Sequence, residues 1–153
     1  MKEKFMTIAI NQAKKGALKD EVPIGAVIVV NGKVIAKAFN KTEGKKNPVK
    51  HAEIIAIEKA CKKLKSWRLI NAELYVTLEP CPMCAGAIVN ARIKKVYFGA
   101  YESKSGCAES KYPILSDSGL NHKVEFEGGI MQEECQAILK NYFKGKRKAK
   151  SLD

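Results

Sequence analysis

The chain has 153 residues, 46% of them hydrophobic and 29% charged, which suits one domain with an ordinary core and no need of disulfides. No apolar run approaches the length of a membrane span, so a helical membrane protein is excluded. With 28 Lys and Arg against 16 Asp and Glu the net charge is +12, which admits a polyanionic partner beside the plainer reading of a solvated basic surface. The start, Met1-Lys2-Glu3-Lys4-Phe5, has no signal-peptide core, and the five cysteines are odd in number and unevenly spaced. A cytoplasmic protein is expected, with Cys61, Cys107 and Cys135 as reduced thiols.

From Phe5 to Leu18 the apolar positions Phe5, Met6, Ile8, Ala9, Ala13 and Ala17 fit one helical face. The run Ile24–Val30 is too continuous for a strand wetted on one side and suits a central strand covered on both, and Asn31-Gly32 turns it back into Lys33–Phe39. A polar loop, Asn40–Lys50, delivers His51, after which Ile54, Ile57, Cys61 and Leu64 mark a helix to Leu64. Trp67–Asn71 connect to a strand over Glu73–Leu78. A helix then runs from the first cysteine of Cys81-Pro82-Met83-Cys84 to about Ala91, with Pro82 suited to its first turn. The strand Lys94–Gly99 follows that helix, so a right-handed crossover makes it parallel to its predecessor.

Residues 100–121 form a long polar loop, with some helix expected in Ile114–Leu120. A short strand, Lys123–Phe126, precedes the Gly128-Gly129 break. The last helix, Met131–Phe143, leads into the basic stretch Lys144–Lys150. The pattern α-β-β-α-β-α-β-β-α gives a mixed sheet with helices on both faces, all of residues 1–153 in one domain with a basic end from about residue 140.

Cys81 and Cys84 lie three apart at a strand-to-helix corner, where both sulfurs share a face and the unpaired N–H groups favour thiolates. A metal clip and a redox dithiol both fit such a pair. His51 supplies an imidazole, and the set His51, Cys81 and Cys84 is suited to zinc with one position open. A closed structural site would take a fourth ligand from Cys61, Cys107, Cys135 or His122. Glu53 is the candidate proton carrier, although residues i and i+2 of a regular helix do not share a face. The two converge only if the site caps the helix end.

His51-Ala52-Glu53 together with Pro80-Cys81-Pro82-Met83-Cys84 resembles the signature of the zinc-dependent cytidine and adenosine deaminases. Glu21–Val27, Thr77–Pro80, Ala85-Gly86-Ala87 and Asn121–Glu125 resemble, more narrowly, the bacterial tRNA-specific adenosine deaminases, from the first helix to the basic tail. The resemblance implies a three-layer α/β/α cytidine-deaminase-like fold around a five-stranded mixed sheet, with one zinc per subunit held by His51, Cys81 and Cys84. It also implies a hydrolase of C–N bonds in cyclic amidines, which converts the wobble adenosine of a tRNA anticodon loop to inosine and ammonia. Hydroxide attacks C6 of adenine, and Glu53 shuttles the protons. Convergence of Glu53 on the metal rests on this resemblance.

By the same resemblance Asn40 and the backbone of Ala52 contact the flipped base, and Glu102 and Lys104 lie near the flanking nucleotides. Tyr101 and Glu102 stand where relatives often carry Arg and Asp. Tyr142 and Phe143 match an aromatic pair that stacks on nucleotides or packs the last helix. The basic end, Lys140, Lys144, Lys146, Arg147, Lys148 and Lys150, is suited to stem phosphates. The resemblance further implies a homodimer and an arginine tRNA, while His122 has no assigned role. Two alternatives stay open: a free-base deaminase such as guanine deaminase, which shares the Cys-Pro-Met-Cys spelling, and a non-catalytic RNA-binding module with structural zinc.

Overall fold

The computed structural model describes residues 1–117 and 119–152, with side chains through residue 149. β1 (Gly25–Val30) lies inside a sheet of order β2-β1-β3-β4-β5, formed with β2 (Lys33–Phe39), β3 (Ala72–Leu78), β4 (Lys95–Ala100) and β5 (Glu125–Glu127). β1 is antiparallel to β2 and β3, while β3–β4 and β4–β5 are parallel. Asn31 and Gly32 both take positive φ, which closes the β1–β2 hairpin with the twist a two-residue turn requires.

The unbroken apolar run of β1 follows from its two covered faces. Ala26 and Ile28 pack with α3 (Ala52–Leu64) and α4 (Pro82–Asn90), through Ala52, Ile55, Ala56, Ala85 and Ile88. Val27 and Val29 pack on the opposite face with α1 (Lys2–Leu18), through Phe5, Met6 and Ala9, and with Cys135 of α5 (Gln132–Leu152). The result is the expected three-layer α/β/α arrangement with helices on both sides of a mixed sheet. Each fully buried Leu, Ile, Val or Phe in these layers contributes roughly 1.5–3 kcal/mol. Gly25 allows α1 to lie directly on the sheet, since a Cβ there would stand 1.8 Å from the Ala9 carbonyl oxygen.

Besides shifts of two or three residues at the start of α1 and in β5, three stretches depart from the sequence expectations. The loop after Asn40 contains a short helix, α2 (Thr42–Lys45), whose first N–H groups, those of Glu43 and Gly44, donate to the carboxylate of Glu21 at 3.0 and 2.7 Å. The expected helical stretch in Ile114–Leu120 is instead irregular over its described residues; Ser118 lies outside them. Asp117 accepts the Gly119 N–H, a local turn that competes with a helix, while the buried Leu115 is held between the Cys107 and Val124 backbones. The last helix runs to Leu152, beyond the expected Phe143, because its Lys- and Arg-rich end is made mostly of good helix formers, with Gly145 tolerated and no proline to stop it.

Candidate active site

Two helix starts meet at one edge of the sheet. β3 ends at Leu78 and turns through Glu79-Pro80 into α4, with Cys81 as N-cap and Pro82 in the first turn. The loop from Asn40 brings His51 to the N-cap of α3. Both cap residues have extended backbones, so their side chains project from the helix ends. His51 Nδ1 lies 3.6 Å from Cys81 Sγ and 3.5 Å from Cys84 Sγ, and the three donor atoms all fall within 4.8 Å of one another.

This donor set fits zinc. With Zn–S near 2.3 Å and Zn–N near 2.0–2.1 Å, tetrahedral geometry separates N from S by about 3.6 Å, which matches both observed distances. The proton chemistry agrees. A hydrogen bond from the Cys84 thiol, against the opposing effect of burial and with help from His51, brings Cys81 down to about 4. The same bond and burial push Cys84 up. His51 is raised by its hydrogen bond with Cys81. The cluster thus holds a thiolate together with protons that a divalent ion replaces on binding.

Among the described residues, no other His, Cys, Asp or Glu joins this group. Cys61 faces the Trp67 carbonyl, Cys135 is buried on the sheet-facing side of α5, and His122 donates from Nε2 to the Ile93 carbonyl at 2.8 Å. His122 is therefore a tie between the segment before β4 and the segment before β5. Glu53 sits in the first turn of α3, buried beside the cluster, where its charge interacts with His51 and Cys81. Burial pushes its carboxyl up to about 7. Because His51 is a cap outside the helix proper, the pair His51 and Glu53 escapes the geometry that separates i and i+2 along a regular helix.

Asn40 is buried, and its Oδ1 accepts the Ala52 N–H at 2.7 Å, so these two residues are joined to each other at the start of α3. Glu102 accepts the Lys104 N–H at its Oε1, and Lys104 is exposed. Tyr142 and Phe143 lie away from the cysteines, with Asp20, Val22, Glu43 and Lys146 along a groove. Tyr142 donates to the Asp20 backbone and carboxylate at 3.3 Å, while Phe143 is exposed and meets the Tyr142 ring edge-on.

The profile of the MafB19-like deaminase family matches residues 1–147. The chain is 49% identical to the tRNA-specific adenosine deaminase of Bacillus subtilis (strain 168) over 148 residues, 97% of this chain and 92% of that one. The chain belongs to the tRNA-specific adenosine deaminase family. Among solved structures, it superposes with a TM-score of 0.85 and 44% identity on one from a study of A-to-I editing by tRNA:A34 deaminases at the wobble position of transfer RNA. That match covers 88% of this chain and 98% of the other. A guanine deaminase from Bacillus subtilis is also similar, with a TM-score of 0.62 and 42% identity over 65% of this chain and 64% of that one.

Two buried acids besides Glu53 matter to the site: Glu21, which caps α2 on the way to His51, and Glu79, two residues before Cys81. The sequence marks them only by their setting, acids beside an apolar strand and a proline where a solvated charge has no room.

Proposed function

We propose that this protein deaminates adenosine to inosine at the wobble position of a tRNA anticodon, with zinc held by His51, Cys81 and Cys84. The observation that carries the reading is the tetrahedral spacing of those three donors with Glu53 buried beside them. Zinc, when held there, supplies a Lewis acid that brings the pKa of water from about 15.7 to about 7. Glu53 takes one proton from the attacking water and delivers it to the ring nitrogen, then takes the second from the hydroxyl formed at C6 and delivers it to the departing amino group. Water is consumed and ammonia released. Burial, which favours the protonated carboxyl, helps Glu53 hold a proton between the two halves of that transfer.

A base inside an anticodon loop must leave its stack to reach such a site, so contacts to its neighbours have to compensate for unstacking. Asn40 presents its amide beside α3, and Glu102 and Lys104 stand on the loop after β4 as candidates for the flanking nucleotides. On α5, Lys140, Lys144, Arg147 and Lys148 line a common groove suited to stem phosphates. Lys146 is engaged otherwise, paired with Asp20 at 2.5 Å, and the Lys150 side chain lies outside the described residues. An arginine tRNA, a homodimer, and action in the cytoplasm belong to this reading through the family alone. No helix of the described residues is long and apolar enough to cross a membrane.

The similarity to a guanine deaminase makes free guanine the competing substrate. Purified zinc-loaded protein is offered an anticodon stem-loop RNA with adenosine at the wobble position, free guanine and free cytosine. Inosine from the RNA with the free bases untouched is expected, whereas turnover of guanine alone would reverse the assignment.

A further inference from the structure

Glu79 is 2% exposed and stands two residues before the N-cap Cys81, yet α4 takes no side-chain cap. Its carboxylate turns instead toward a single loop, the one after β4. Oε1 accepts the Glu102 N–H at 3.0 Å and the Ser110 hydroxyl, and Oε2 accepts the N–H groups of Ala108, Glu109 and Ser110 at 3.1, 2.9 and 2.9 Å. The Cys107 N–H adds a bond to the Pro80 carbonyl at 2.8 Å. Gly106 completes the contact, because a Cβ there would lie 2.3 Å from Glu79 Oε1 and 2.4 Å from the Glu102 carbonyl.

We propose that Glu79 is a positioning residue for RNA recognition: it clamps the loop 102–110 to the corner that carries Cys81, so that Glu102 and Lys104 face the substrate in fixed register with the metal ligands. The inference rests on the deaminase function above. Charge is needed for the clamp. Five donors converge on two oxygens, and a buried carboxylate is the one side-chain group that accepts from all of them without offering a hydrogen of its own. In Glu79→Gln the amide oxygen belongs opposite the three N–H groups of residues 108–110. The NH2 then falls at the Oε1 position, where Ser110 Oγ can accept from it but the Glu102 N–H cannot. The substitution therefore releases the Glu102 end of the loop while leaving the other end attached.

The test is steady-state kinetics of the full zinc-loaded chain on an anticodon stem-loop RNA, for wild type, Glu79→Gln, Glu102→Ala and the double variant, with zinc content measured for each. Glu79→Gln is expected to raise KM about tenfold, the loss of roughly one charge-assisted bond, with kcat changed much less and zinc retained. In the Glu102→Ala background the same substitution is expected to raise KM less than about twofold, because its effect passes through Glu102. Should Glu79→Gln not fold, Gly106→Ala carries the test, since its Cβ drives Glu102 and the clamp apart from the other side. Unchanged KM, full multiplication of the two effects, or loss of zinc together with kcat would overturn the inference. A wild-type chain that makes no inosine removes the parent function and this inference with it, whereas active wild type with an indifferent Glu79→Gln removes the inference alone.

Discussion

Glu53 is buried beside His51 and Cys84, where its charged form is disfavoured; most of the chain's other acids are solvated or paired at the surface. Glu53→Gln keeps its shape and removes its proton chemistry, so zinc content is expected to stay while inosine formation falls by about 10²–10⁴, the usual span of general acid–base catalysis. Metal analysis alongside a single-turnover assay reads both. Asn40 separates two roles in a similar way. Its Oδ1 ties the start of α3 through the Ala52 N–H, leaving its NH2 as the group suited to a base. Asn40→Asp keeps the acceptor, so the melting temperature should hold while KM for RNA rises. Asn40→Ala should also lower stability by about 1 kcal/mol, as loss of a cap does.

At the level of elements, the sequence made the strands around β1 and the two helix starts legible, because periodicity and turn residues are local signals. His51, Cys81 and Cys84 were legible as donors by residue type, and the convergence of Glu53 became explicable only with His51 at the cap. What escaped depends on distant partners. α2 is capped by Glu21, 22 residues before Glu43, and nothing within Thr42–Lys45 announces it. The irregular stretch around Leu115 is likewise fixed by Cys107 and Val124 rather than by its own sequence. Cys135 shows how tightly α5 meets the sheet, its side chain filling the space that a Cβ at Gly99 would need. Burial pushes this thiol from 9.0 up to about 12. A raised folded pKa gives stability that is complete below the unfolded value and lost as pH rises toward the folded one. Wild type is therefore expected to lose up to roughly 1.4 kcal/mol per pH unit above about pH 9 from this group. Denaturant melts of Cys135→Ala between pH 8 and about pH 11 should show a shallower alkaline decline; identical slopes would place the loss elsewhere.

Across the whole molecule the net charge of +12 is divided between uses. Lys2 and Lys95 pair with Glu127, Lys50 with Glu58, and Lys146 with Asp20. The groove of Lys140, Lys144, Arg147 and Lys148 lies along the outer part of α5. Reversing Lys140, Lys144 and Arg147 to Glu is expected to weaken RNA binding and to flatten the slope of log K against log salt by about 2–3, near 0.7–0.9 for each phosphate no longer neutralised. Titrations at several salt concentrations measure it, and zinc content should be unaffected. In the proposed reading the metal corner, the buried proton carrier and the basic helix serve one activity on RNA. Its most direct test is position-resolved mass spectrometry of a tRNA incubated with the zinc-loaded chain. Inosine confined to the wobble position, with equimolar ammonia, is the expected result; an unmodified wobble adenosine, or inosine formed equally well by Glu53→Gln, would contradict it.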